Sequence, residues 1–331
     1  MAERITLHRR ALLGAACVLP FVRTAAAQAY PNRFVKLVVP FPPGGGTDGV
    51  ARVLANRLSE MWNQQVVIEN KGGAGTNIGT ESVARSDPDG YTLLFQSMPI
   101  AVNKFLFPSL SYDSIADFAP VTLICDFPNI MAVPMSSPAK SVQQFIDYAK
   151  ANKGKVTFAS SGNGTSVHLS GELFKRMAGI EMVHIPYRGA GPALNDLLPG
   201  RVDVMFNNTG AVLPLIQSGK LRGLAVTTAK RSAAAPELPT IAEEGVPGFD
   251  VSSWYAVFLP VKTPPEIVAK ANADIVAAIT HPVTKERLEQ LGVVVVGSTP
   301  EGLAAHLKAE MDKWGPVIRA AAIKPSESSS Q

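Results

Sequence analysis

Only 18% of this 331-residue chain is charged, and it holds just two cysteines and five histidines. Cys17 falls in an N-terminal segment that reads as a removable leader, so Cys125 stands alone and no internal disulfide is available. Cys125 ends the apolar run Val121 to Cys125 and is expected in the core. His8, His168, His184, His281 and His306 show no metal-ligand spacing, and Asp126 and Asp203 are isolated, so neither a metal site nor an acid/base pair is recognisable. No segment reads G-x-x-x-x-G-K-[ST], G-x-S-x-G or H-E-x-x-H, and Gly73, Gly75 and Gly79 miss the dinucleotide spacing by one residue. These absences set aside the common nucleotide, serine-elbow and zinc-protease classes. A membrane-spanning run is also missing. Ala11 to Val22 is too short to cross a bilayer and contains Pro20.

That short run has another reading. Arg4, Arg9 and Arg10 precede it, and Ala27-Gln28-Ala29 follows as an A-x-A cleavage signal, which makes residues 1–29 an export leader and Tyr30 the first mature residue. Arg9-Arg10 fits both a twin-arginine signal and an ordinary Sec n-region. Gly14 spoils a lipobox at Cys17. Removing four arginines and Glu3 takes 31 Lys+Arg and 27 Asp+Glu to 27 against 26. Three of the four net positive charges therefore belong to the leader, and no basic field remains for nucleic acid or an anionic membrane. About 300 mature residues exceed one ordinary core, so two domains are expected.

What the chain does have is an alternation of β-rich runs and amphipathic segments, the pattern of parallel α/β units. Val35–Val39 reads as the first strand, with Val50 to Trp62 as a helix behind it. Val121–Ile124 and Ile130–Val133 read as two strands broken at Asp126 to Asn129. Ser141 is placed to cap a helix running to Ala151, Pro265 to start one ending before His281-Pro282, and Lys324 to Gln331 reads as a frayed polar tail.

Between the first strand and helix lies Phe41-Pro42-Pro43-Gly44-Gly45-Gly46-Thr47-Asp48. Glycines expose backbone N–H groups, Thr47 or Asp48 is placed to cap a helix near Gly49, and the helix end adds partial positive charge. Such a loop holds an anion without a cation; it equally serves as a tight βα turn. Two partial echoes follow, Gly73-Ala74-Gly75-Thr76-Asn77 and Gly162-Asn163-Gly164-Thr165-Ser166, each before a helix and in different halves of the chain. In the second, Ser160, Ser161, Thr165 and Ser166 gather hydroxyls where backbone donors are free, which suits a carboxylate or a solvated loop. His168 follows it, as a general base or as a packing histidine. Tyr187-Arg188 and Asn207-Asn208 end later strands, where open sheets bind ligands.

Taken in order, VVPFPPGGGTD, VVIENKGGAGTNIG, SSGNGTSVHL, HIPYRGAGPALNDLLPGRVDVMF and PTIAEEGVPGFDVSSWYAVFLP resemble the Bug-type substrate-binding receptors of tripartite tricarboxylate transporters, across almost the whole mature chain. The resemblance implies a monomeric periplasmic protein of two-lobed α/β, Venus-flytrap fold, each lobe a mainly parallel sheet flanked by helices, joined by two crossover hinge strands. It implies no catalysis, cofactor or metal, a small carboxylate ligand, and two integral-membrane partner subunits. Lobe one would comprise 30–127 and 229–331, and lobe two 128–228. Carried over, Phe41, Pro43, Gly44, Gly45 and Asp48 hold one end of the ligand, and Ser161, Gly164 and Thr165, with His168 behind them, hold a carboxylate from the other lobe. Gly75, Asn77, Ser97 and Ala101 add first-lobe contacts, Tyr187 and Asn207 second-lobe ones. Asn207 stands where many relatives are acidic, which favours a ligand without an ammonium group unless Asp48 or Asp126 supplies the charge. Two other functions fit the sequence: ligand presentation to a sensor kinase, and an exported α/β hydrolase using His168.

Overall fold

The computed structural model describes residues 30–320 and 323. The leader, Cys17 and the tail Lys324 to Gln331 lie outside these residues. Strands β1 (Val35–Val39), β2 (Val66–Asn70) and β3 (Thr92–Gln96) pair in parallel in the order β2-β1-β3. Helices α1 (Gly46–Trp62) and α2 (Asn77–Ala84) connect them. On α1, Val50, Leu54 and Leu58 recur at helical spacing and are buried against the sheet. A further helix, α3 (Pro99–Leu106), was not evident in the sequence. It opens with Pro99 and continues through an apolar run that carries no polar face to mark its period.

The next strand, β4 (Phe118–Pro134), is 17 residues long and shows no break at Asp126 to Asn129. From Phe118 to Pro128 it pairs antiparallel with β9 (Ser252–Pro260). From Asn129 onward it pairs with β7 (Val204–Asn208) and β8 (Leu221–Val226). One strand thus belongs to two sheets. Pro128 has no N–H to donate, and it sits where the ladder changes partners, so the proline marks the handover and not an end.

The second sheet adds parallel β5 (Thr157–Ser160) and β6 (Val183–Pro186) beyond β7. Helices α4 (Val142–Ala151), α5 (Ser166–Ala178), α6 (Ala190–Leu197) and α7 (Thr209–Gln217) flank it. Ser141 caps α4 as expected, accepting from the Gln144 N–H. The expected return to the first lobe at Ala229 does not match the packing. Ile241 N–H bonds the Val226 carbonyl, Val251 N–H bonds Thr227, and Phe249 meets Phe174 edge-on at 6.2 Å. The segment up to Val251 therefore stays on the second sheet, and the chain crosses back where β9 begins. Helices α8 (Pro265–Thr280), α9 (Pro282–Gln290) and α10 (Pro300–Ala320), with β10 (Val294–Val295) antiparallel to β4, complete the first lobe.

Three clusters form the core. One runs through both lobes on the same side of the shared strand, from Leu94, Phe258 and Trp314 to Met131, Phe174 and Phe206. The others lie on the opposite side, one beneath α1 and α8 and one beneath α6 and α7. Cys125 is fully buried in the second of the three.

Phe249→Ala tests the late crossing. A buried ring packed on Phe174 should cost about 3–5 kcal/mol on truncation, read as a loss of urea unfolding free energy. A loss under about 1 kcal/mol would remove this segment from the second lobe's core.

Candidate functional site

Between the lobes lies a cavity of about 290 Å³. The first lobe lines it with the loop from Phe41 to Thr47, Ser97, Ser253 and Tyr255; the second with Ser161, Thr165 to Val167, Gly189 to Pro192 and Asn208. Three helices, α1, α5 and α6, begin at its wall, and Asn208, the N-cap of a fourth, α7, lines it too. The opening N–H groups of a helix have no intrahelical acceptor and carry the positive end of its dipole. None of the lining side chains is charged. The cavity is electropositive through backbone alone, which is how uncharged protein holds an anion.

On the first jaw, α1 begins at Gly46, a turn earlier than expected, and its N-cap is Gly45, which has no side chain to cap with. Asp48 turns back instead. Its carboxylate accepts from the Gly44 N–H at 3.0 Å, from Arg52 at 2.8 and 3.1 Å, and from Asn70 at 3.0 Å. Burial opposes this charge, but those hydrogen bonds outweigh it and hold the carboxyl below its ordinary range. Asp48 thus braces the glycine loop from behind. Thr47 reaches across to the Tyr255 hydroxyl at 3.1 Å, and Tyr255 is wedged on Phe127 with ring centroids 4.8 Å apart.

On the second jaw, Gly162 and Gly164 take φ of 129° and 76°, which other residues avoid. Thr165 caps α5, accepting from the His168 N–H and donating to the Gly162 carbonyl at 2.7 Å. His168 is 1% exposed and accepts from the Gly164 N–H through Nδ1 at 3.2 Å. It stacks on His184 at 4.1 Å, and the His184 Nε2 meets the Ser160 hydroxyl at 2.7 Å. Burial drives the His168 pKa well below its ordinary value and that of His184 down to about 3, so both rings are neutral. Their stack sets the loop's shape from inside the lobe.

The jaws touch. A Cβ on Gly164 would lie 2.5 Å from Asn103 Oδ1 and 3.1 Å from a Leu106 methyl; one on Gly189 would lie 3.2 Å from Pro42. Through shared residues Phe41, Pro42, Ser161 and Thr165, the cavity opens into a second chamber of about 470 Å³. Gly72 to Thr76, Ile78 and Pro186 to Arg188 surround that chamber.

The chain matches the family described as tripartite tricarboxylate transporter family receptor over residues 50–323. It belongs to that family. A Pseudomonas sp. (strain P51) protein from the tcbD-tcbE intergenic region is 41% identical over 314 residues, 94% of each chain. The Bordetella pertussis protein BugT is 40% identical, covering 89% of this chain and 91% of BugT. Among solved structures, R. palustris Rpa4515 with adipate superposes with a TM-score of 0.87 at 40% identity, over 90% of this chain and 100% of that one. MatC from Rhodopseudomonas palustris with bound malate gives 0.82 at 33% identity, over 87% and 100%.

In this receptor, Phe41, Pro43, Gly44, Gly45, Ser97, Ser161 and Thr165 line the first chamber, and Gly75 and Tyr187 the second. Six expected ligand contacts lie elsewhere. Asp48 and His168 brace the two loops from behind. Gly164 sits in the lobe contact. Asn77 Oδ1 accepts from Asn103 and Tyr112, both at 2.7 Å. Ala101 is buried on α3 in the shared core. Asn207 is fully buried and its Oδ1 accepts from the Asn208 N–H, so it is Asn208 that faces the cleft. Asp126, the other possible ammonium partner, does not line the cavity; burial lifts its carboxyl to about 6, against a Ser252 hydrogen bond, beside Glu310, Asp250 and Lys313. Thr47 and Ser166, read in the sequence only as members of the two loops, line the cavity as well, and sequence reasoning missed Ser253 and Tyr255. The last two share one face of β9 at i, i+2 spacing, but that strand is buried on both sides and shows no alternation.

Two outcomes follow from the braces. The unfolded histidines take protons below about pH 6.5 that the native pair refuses, so stability should fall as pH drops from 7.5 to 5.5, by up to about 1.4 kcal/mol per unit per histidine. A urea midpoint unchanged over that range would disprove the neutral stack. Asp48→Ala should weaken ligand binding about tenfold by freeing the glycine loop, while leaving the helical circular dichroism intact. Full affinity in that variant would show that the brace does not shape the jaw.

Proposed function

We propose that this receptor is periplasmic and captures a small organic carboxylate between its lobes for delivery to integral-membrane transporter subunits. The observation that carries the reading is the uncharged cavity walled by helix N-termini from both lobes. Burying a carboxylate without donors is costly, and here free backbone N–H groups, Ser161 and Ser97 replace its water. The solved relatives that hold adipate and malate support the same class of ligand. Neither chamber is lined by a carboxylate side chain, so an amino group on the ligand would go unpaired.

We place the lobes at 30–128 with 252–323, and at 129–251. Opening pivots on the partner change in β4 and on the crossing at Val251-Ser252. Closure brings Gly164 onto Asn103, which couples ligand capture to a shape the membrane subunits read. Among the described residues no helix is long and apolar enough to cross a membrane, and the leader over residues 1–29 supplies the route out of the cytoplasm.

The test is thermal unfolding of protein refolded free of ligand, against short mono- and dicarboxylates and their neutral amides. At least one acid should raise the midpoint by mass action, and its amide should not. Among the described residues the Ser161 side chain makes no hydrogen bond that would be lost, so Ser161→Ala should weaken that acid about fivefold to tenfold at unchanged stability. A panel in which no acid stabilises the protein would overturn the proposal.

A further inference from the structure

A third cavity, of about 550 Å³, lies on the flank of the first lobe. It shares no lining residue with either chamber of the cleft. Its walls are the end of α3, the stretch from Ser114 to Pro120, Phe258 on β9 and one face of α10 from Ala304 to Arg319. Phe118, Phe258, Leu307 and Met311 make a buried apolar floor, and Ile115 stands 56% exposed at the side. The volume falls in the range of sites for small organic molecules, about 300–1,000 Å³.

Two features separate this groove from a dent in the surface. Ser114 lines it, is 2% exposed, and its hydroxyl has no hydrogen-bond partner among the described residues. A buried hydroxyl left unpaired is unfavourable, and a ligand acceptor in the groove would satisfy it. The rim is also cationic, with Lys104, Lys308 and Arg319 against Asp312. Lys308 is paired with Asp312 at 2.6 Å. Lys104 and Arg319 contact no carboxylate among the described residues, although Lys104 adds a longer-range pull on Asp113. Both instead rest over the ring of Phe105, at 5.5 and 5.2 Å from its centroid. Phe105 can lie against α10 because residue 315 is glycine; a Cβ there would come within 2.9 Å of the ring. The aromatic wall and the two cations are therefore built as a unit.

We propose that this groove is a second binding site, for an amphipathic organic anion whose apolar body lies on Phe118, Phe258 and Met311. Its acidic head pairs with Lys104 and Arg319. Charge complementarity selects an anion, because Lys308 and Asp312 neutralise each other while Lys104 and Arg319 contact no carboxylate among the described residues. The site stands apart from cleft binding and needs no lobe closure, since all its walls belong to the first lobe.

The test is calorimetric titration of the mature receptor with octanoate, and with octan-1-ol as the neutral probe of equal length. Octanoate should bind one site, and Ser161→Ala in the cleft should leave that binding unchanged. Ala304→Trp, at an exposed position of α10 facing the groove, should abolish it. Arg319→Ala and Lys104→Ala should each weaken octanoate about fivefold to tenfold without affecting octan-1-ol. Should the tryptophan variant unfold, these two surface variants decide the matter alone. No binding of octanoate, or binding that survives both charge removals and is lost only with Ser161→Ala, would overturn the proposal.

Discussion

Strand β4 is shared by both sheets, and its change of partners at Pro128 and Asn129 fixes nearly everything else. A single covalent strand shared by two ladders cannot slip in one lobe without carrying the other with it. Its register with β7 places Asn129 opposite Asn208, and that pairing brings the start of α7 to the cleft. Its register with β9 places Phe127 opposite Ser253, next to the cavity wall. The same strand carries one hydrophobic cluster from lobe to lobe, so a packed junction and not a loose linker joins the two halves.

The cleft then solves an electrostatic problem without ions. A cation facing the ligand would bind an anion tightly but would require its own neutralisation when the cleft is empty. Helix ends need none, because their charge is partial and fixed in the backbone. The charged groups near the site serve as braces. Asp48 is consumed by Gly44, Arg52 and Asn70, and the neutral pair His168 and His184 stiffens the opposite loop. The groove on the first lobe follows the opposite design, with its side-chain cations left open to solvent over an aromatic ring.

Much of the fold was legible in residue patterns. Alternating β-rich and amphipathic runs marked parallel α/β units, and Ser141 and Pro265 marked helix starts that the structure contains. The misreadings have physical causes. Pro128 looked like a strand break because a proline cannot join a ladder, yet it sits where one ladder ends and another begins. Residues 229–251 fall to the first lobe in the layout that the family resemblance implies, and no local residue pattern marks the crossing point. Ile241, Val246 and Phe249 nonetheless bury themselves on the second sheet. Helix α3 escaped notice because Ile100, Ala101 and Val102 are all buried, which erases the amphipathic period.

The sequence by itself determined the chemistry of the first chamber: glycine, serine and threonine loops at strand ends, in two halves, with no charged side chain in its wall. It also carried the family, whose motifs span the chain. Only the tertiary structure decided which of two neighbours faces the cavity. Thr47 does and Asp48 does not; Asn208 does and Asn207 does not. In a strand that choice is a matter of parity, and parity is fixed by register against a partner far away in the chain. At a helix start it depends on where the first turn begins: α1 begins at Gly46, and the Asp48 carboxylate turns back onto Gly44, Arg52 and the distant Asn70.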